Sequence, residues 1–209
     1  MKVIIFGATG TVGRQLVKQA LYRGHEVKAF GRNVFTDNLP ADEKLELVQG
    51  ALFDEGQVFK AIKGCDAVLS SLGGDSSGSD VTRSLGMKNI VAQMQKASVR
   101  RIVAVGGMGS LNAEEELLVM DTPEYPKQFL PVSKEHLKAL EFLKTSTLDW
   151  TVVCPPDIIN AEPTGIFVTA ADYPPTPNSN RINSGDLALF MLTELERNEF
   201  IHHRVGISN

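Results

Sequence analysis

Val3-Ile4-Ile5-Phe6-Gly7-Ala8-Thr9-Gly10-Thr11-Val12-Gly13 runs directly into a helically periodic segment from Arg14 to Tyr22. Four consecutive apolar residues without polar alternation read as a strand covered on both faces. Glycines at positions 7, 10 and 13 then make a tight turn, and the periodic segment makes a helix. Strand, glycine turn, helix is the order of a dinucleotide-binding βαβ unit. Gly7 turns the chain where a side chain would meet forbidden φ/ψ space. Gly10 lets the backbone approach a pyrophosphate, and Gly13 lets the helix lie close to the sheet. The helix N-terminus offers unpaired N–H groups and a partial positive charge to phosphates. Thr9 and Thr11 add hydroxyl donors at the same turn.

Working outward, strands and helices alternate. Residues 25–30, 45–48, 66–70, 101–105 and 150–154 read as strands, the last stopped by Pro155-Pro156. Helices are expected from Asp54, a plausible N-cap, to Ile62, from Asp80 to Ala97, from Val132 to Lys144, and from Gly185 to Arg197 with Ser184 as cap. A final strand is expected near Arg204-Val205-Gly206-Ile207. Strands rich in Val, Ile and Leu point to a parallel sheet with helices on both faces. The fold class is therefore α/β, a doubly wound Rossmann sheet in a single domain over residues 1–209. Two stretches break the rhythm, at about 106–132 and 155–183, and both follow strand ends where ligands sit in open α/β sheets. They are expected to be irregular loops that wall a substrate pocket.

The chain has 209 residues, 43% hydrophobic and 22% charged, which suits one globular domain with a core and a pocket. A net charge of −4 gives no global basic field for nucleic acid or an anionic membrane. No apolar run approaches the roughly 20 residues of a membrane span. Cys65 and Cys154 lie far apart in or near apolar stretches and read as buried small hydrophobes. His202-His203 have no companions at metal spacing, so no metal is expected. With the first strand beginning at Lys2, no signal or transit segment is expected, and the cytoplasm is the expected compartment.

The end of the second strand separates NAD from NADP. NAD sites place a carboxylate there for the ribose 2′-OH. This chain has Phe30-Gly31-Arg32-Asn33 instead, and a guanidinium can take a 2′-phosphate bidentately. The expected cofactor is NADP(H). Small residues in Ser71-Leu72-Gly73-Gly74 would let the backbone lie against the cofactor.

These pieces, together with Asp66-Ala67-Val68 and Asp149-Trp150-Thr151-Val152-Val153-Cys154-Pro155-Pro156, resemble the atypical short-chain dehydrogenases/reductases of the NAD(P)H-binding, NmrA-like type. Lys134-Glu135-His136-Leu137 and Asp186-Leu187-Ala188-Leu189-Phe190-Met191-Leu192 bring the chain nearest to the flavin reductase / biliverdin IXβ reductase branch. The resemblance implies Gly7, Thr9, Gly10 and Val12 on the pyrophosphate, Arg32 on the 2′-phosphate, and Leu52, Leu72 and Gly73 near adenine and ribose. It implies Arg83, Val105, His136, Asp157 and Ile158 toward the nicotinamide. It also implies hydride transfer from NADPH to a flavin or a linear tetrapyrrole.

The chain departs from that pattern at several positions. Gly106-Gly107-Met108 replaces a short polar residue after the fifth strand, Ala51 an acidic residue at the adenine, and Asp157 a histidine after the paired prolines. The Tyr-x-x-x-Lys pair of ordinary short-chain dehydrogenases is missing, with Ser133 and Leu137 read at those places. Its loss removes the tyrosine acid used on alcohols and ketones. A planar conjugated acceptor, flavin- or quinone-like, is thus expected over a tetrapyrrole. His136, with an unperturbed pKa near neutrality, is the first proton-transfer candidate. Asp157 and Ser110 are candidates for orienting or bonding the acceptor, and Met108, Leu111, Phe129 and Tyr173 for an apolar floor. The Glu114-Glu115-Glu116 run reads as a solvated face. Two readings stay open: an NADPH-dependent reductase acting on a small molecule as a monomer or small homo-oligomer, and a non-catalytic NADP(H)-sensing protein of NmrA-like type.

Overall fold

The computed structural model describes residues 1–36, 39–75 and 80–209. In chain order the strands are β1 (Lys2–Phe6), β2 (Glu26–Gly31), β3 (Leu45–Gln49), β4 (Ala67–Ser70), β5 (Arg101–Val105), β6 (Asn112–Glu114), β7 (Leu117–Leu118), β8 (Asp149–Cys154), β9 (Asp157–Ile159), β10 (Val168–Ala171), β11 (Arg181–Asn183) and β12 (His203–Ser208). The helices are α1 (Thr11–Tyr22), α2 (Glu55–Ile62), α3 (Thr82–Ala97), α4 (Leu130–Lys144) and α5 (Ser184–Arg197). Eight strands form the central sheet in the order β3-β2-β1-β4-β5-β8-β12-β10. All neighbours in it are parallel except β10, which runs antiparallel to β12 at the edge.

β1 shows why the strands are apolar on both sides. Val3 and Ile5 point into one core cluster with Leu16 and Val17 of α1 and Leu187 and Met191 of α5. Ile4 and Phe6 point into the opposite cluster with Val58, Met87, Ile90 and Leu140, from α2, α3 and α4. The chain leaves β1 toward β2 and β3, then crosses back to β4 on the other side. That reversal opens a crevice at the C-terminal ends of β1 and β4.

The two stretches expected to be irregular carry more order than their composition suggested. The first holds three 3₁₀ turns and the small β6–β7 hairpin. In the second, β9 and β11 pair with each other through Ile158 and Ile182, and β10 completes the sheet edge. These strands are three or four residues long, too short for periodicity to announce them.

Local capping also differs in two places. Asp54 caps α2 by accepting from the Gln57 N–H. α3, however, begins at Thr82, with Asp80 ahead of it accepting from the N–H groups of Asp75 and Thr82. Ser184 does not cap α5. It is the first helical residue, and its hydroxyl exchanges hydrogen bonds with the Ala161 backbone.

Two polar anchors fasten these segments to the body. The fully buried Asp186 carboxylate accepts from the N–H groups of Thr164 and Gly165, each at 2.7 Å, and from the Thr164 hydroxyl at 2.8 Å. It also accepts from the side-chain amides of Asn209 and Asn183, at 2.8 and 3.3 Å. On the other flank, Arg204 of β12 donates to the Ser110 carbonyl and to Asn112 Oδ1, while its own N–H is held by Asp172.

Candidate functional site

A cleft of about 1030 Å³ runs along the C-terminal ends of the strands on both sides of the β1/β4 crossover. At its centre lies the turn of residues 7–10. Gly7 has φ +80°, and a Cβ there would stand 2.5 Å from the Ser71 carbonyl oxygen. A Cβ on Gly13 would stand 2.0 Å from the Gly7 carbonyl oxygen, so α1 can rest on this turn only through glycine. Arg14 Nε donates to the Thr9 carbonyl at 2.8 Å and holds the turn's outer side. Gly10 is the N-cap of α1 and has no side chain to bond the first turn. The leading N–H groups of the helix therefore face the cleft without an internal acceptor. Gly7, Thr9, Gly10, Thr11 and Val12 all line this part, an arrangement that fits a pyrophosphate.

On the β2/β3 side stands Arg32, exposed, with its carbonyl accepting from Gln49 Nε2 at 2.8 Å. Its backbone is thus fixed, while its guanidinium forms no ion pair or hydrogen bond among the described residues. Leu52, Leu72 and Gly73 line the same end. Gly86 of α3, not singled out from the sequence, explains their placement. A Cβ there would lie 2.5 Å from Leu52 Cδ2 and 3.0 Å from Leu72 Cδ1. A glycine inside a helical pattern was the available signal.

The β5/β8 side is built differently. After Val105 the chain turns through Gly106 and Gly107, where a Cβ on Gly107 would lie 2.8 Å from His136 Cδ2. His136 therefore packs directly on the turn. Burial, then repulsion from Arg83, push its pKa down to about 3, with Glu135 opposing. The ring is neutral near neutral pH, which corrects its expected titration close to neutrality. Arg83 itself lines the cleft and donates through its two terminal nitrogens to the Asp75 and Gly74 carbonyls, while its buried Nε has no partner. Asp157 and Ile158, at the start of β9, also line the cleft and are exposed. The Asp157 carboxylate makes no hydrogen bond to the described residues, so it does not cap the turn after the prolines.

Ser110 is a correction. It is buried behind the turn, its hydroxyl donates to the Gly107 carbonyl at 2.7 Å, and it does not line the cleft. Of the expected apolar floor, Met108 and Phe129 line the cleft, but Leu111 is fully buried in the core and Tyr173 lies away from the site, its carbonyl against Gly206. Pro126, Val132, Pro155 and Pro156 supply the remaining apolar wall. The register on α4 also shifts. Ser133 faces the cleft, yet Leu137 packs against the core, and the cleft-facing pairs four residues apart are Phe129 with Ser133 and Val132 with His136. None of these pairs restores Tyr and Lys. One residue missed from the sequence is Tyr125, which lines the cleft and whose hydroxyl lies 2.6 Å from that of Ser133.

Comparison with known proteins agrees with this geometry. Residues 7–198 match the family described as NAD(P)H-binding. The chain belongs to that family. The match begins at the first glycine of the turn and covers every residue lining the cleft except Phe6. The chain is 30% identical to the uncharacterized protein YwnB of Bacillus subtilis (strain 168), over 99% of this chain and 98% of that one. A provisionally named NADH-flavin reductase from Streptococcus pneumoniae TIGR4 superposes with a TM-score of 0.85 at 28% identity, covering 100% of this chain and 99% of the other. A provisionally named epimerase from Bacteroides thetaiotaomicron superposes with a TM-score of 0.86 at 30% identity, covering 99% and 96%. The family thus supplies a nicotinamide cofactor, and no helix among the described residues is long and apolar enough to cross a membrane.

Proposed function

We propose that the protein is an NADPH-dependent oxidoreductase whose acceptor is planar and conjugated, flavin- or quinone-like. The observation that carries this reading is the two-ended cleft: an anion-holding end with an unpaired Arg32 guanidinium, and an apolar end walled by Met108, Phe129 and the paired prolines. Gly7, Thr9, Gly10, Thr11 and Val12 hold the pyrophosphate; Arg32 takes the 2′-phosphate as a bidentate partner. Leu52, Leu72 and Gly73 pack on adenine and ribose. Arg83, Val105, His136, Asp157 and Ile158 are read on the nicotinamide half, with Val105 at the end of β5, on the side of β1 opposite Arg32. When bound, NADPH supplies a hydride at the nicotinamide ring, and the protein's part is position and polarity. The neutral His136 ring can fix a carboxamide or acceptor atom by hydrogen bonding, but it holds no spare proton near neutrality. The name of the Streptococcus pneumoniae neighbour, a flavin reductase, suits this acceptor class.

The test is NADPH oxidation by purified protein with FMN, riboflavin or a quinone present. Turnover with any of them supports the reading. Tight NADPH binding without turnover of a broad acceptor panel overturns it in favour of a cofactor sensor.

A further inference from the structure

We propose that Tyr125, held by Ser133, is the proton donor to a quinone carbonyl oxygen in this cleft. The inference rests on the oxidoreductase reading above and narrows its acceptor from conjugated rings in general to conjugated carbonyls.

The hydroxyls of Tyr125 and Ser133 lie 2.6 Å apart, and neither makes another hydrogen bond to the described residues. Each carries one hydrogen, and their mutual bond uses one of the two. Either oxygen can donate in this bond; Ser133, at 3% exposure, is taken as the donor to the phenol oxygen. The phenolic hydrogen is then left for the cleft, which Tyr125 lines. The pair is held rigidly. A Cβ on Gly109 would lie 2.6 Å from Ser133 Oγ and 2.9 Å from Tyr125 Oη, so turn backbone packs directly behind both. Gly107, two residues earlier, backs His136 in the same way. Since His136 is neutral, the phenol is the hydroxyl acid at this wall. Met108, Pro126 and Phe129 line the same cleft, and a hydrogen bond to a developing oxyanion counts for more beside apolar surface than in water.

The chemistry balances as follows. A hydride delivered to one quinone carbonyl oxygen would form its O–H bond, and the ring π electrons would shift to aromatise the ring and leave the negative charge on the opposite carbonyl oxygen. That oxygen takes the Tyr125 proton, the Ser133 hydroxyl donates to the resulting phenolate, and solvent restores the proton. The sum is NADPH + quinone + H⁺ → NADP⁺ + hydroquinone. A flavin makes no such demand above neutral pH, where its two-electron-reduced form persists as an anion.

Tyr125→Phe is compared with the wild-type protein using menadione and FMN as acceptors. The expected result is a kcat with menadione lower by about 100-fold, a far smaller change with FMN above neutral pH, and an unchanged NADPH dissociation constant. Calorimetry on the cofactor-free protein should show menadione bound about 5-fold more weakly by the variant, from loss of one hydrogen bond. Ser133→Ala, which keeps the phenol, should lower the menadione kcat by a smaller factor and serves if Tyr125→Phe fails to fold. An unchanged menadione kcat, equal losses with menadione and FMN, or a parallel loss of NADPH affinity overturns the assignment of Tyr125 while leaving the oxidoreductase reading intact. A wild-type protein that turns over no acceptor overturns both.

Discussion

Replacing Asp186 with Asn exchanges a buried carboxylate for its neutral isostere, and the partners determine the cost. Asp186 Oδ1 accepts from the N–H groups of Thr164 and Gly165, and the amide oxygen of Asn can keep both. The substituted NH₂ then faces Oδ2's partners: the Thr164 hydroxyl, which can rotate to accept, and the amides of Asn209 and Asn183, which cannot donate to a donor. Flipping Asn209 would give up its bond to the Ile166 carbonyl at 2.7 Å. One strong and one long charge-assisted bond are therefore lost in a buried site, about 3 kcal/mol in all. For a chain of this size that corresponds to a Tm lower by about 6–12 °C at neutral pH, read by calorimetry or thermal fluorescence. Burial alone would push the Asp186 carboxyl up, but hydrogen bonds from Gly165, Asn209 and Thr164 outweigh it and hold its pKa below the ordinary range. Its contribution is complete above the unfolded value and is lost as pH falls through the depressed folded value. Wild type and variant should accordingly converge in acid. A Tm within about 1 °C of wild type at neutral pH, or a gap that persists undiminished in acid, would refute the reasoning.

Arg32→Ala removes no internal contact among the described residues and should leave Tm unchanged while weakening NADPH by about 10–100-fold; NADH affinity, measured in the same titration, should barely move, and equal losses for both cofactors would count against NADP. His136 has a folded pKa near 3 against 6.5 for the free side chain, so its contribution is full above about 6.5 and drains away as pH falls toward 3. His136→Leu should flatten the stability profile across that window, measured by denaturant unfolding at several pH values; an unaltered slope would show that the ring titrates freely.

The geometry of the glycine-turn end of the cleft was legible because each of its signals is local. β1 is apolar throughout, the three glycines stand at fixed spacing, and Arg32 follows its strand directly, so no distant contact is needed to interpret them. The acceptor end depends on contacts across the chain. Ser110 reads as a candidate until the folded turn is seen to bury it, with its hydroxyl on the Gly107 carbonyl and off the cleft. Tyr125 sits in an aperiodic stretch between 3₁₀ turns, and only the fold brings it to Ser133. Of the pair Ser133 and Leu137, the packing of α4 puts Ser133 on the cleft beside Val132 and His136 but turns Leu137 to the core. β10 was missed because a four-residue antiparallel edge strand leaves little trace in a chain dominated by parallel ones.

The Arg204 strap also imposes an order on biosynthesis. The glycine turn and Arg32 belong to the earliest strands to leave the ribosome, and β1 to β4 already supply the central crevice. The turn carrying Ser110 and the wall beyond it cannot be fastened until the last strand has been made and has paired with β8. A nascent chain can thus assemble the glycine-turn half of the cleft before the wall beyond Ser110 is fastened, which leaves that second half unfinished until translation is nearly done.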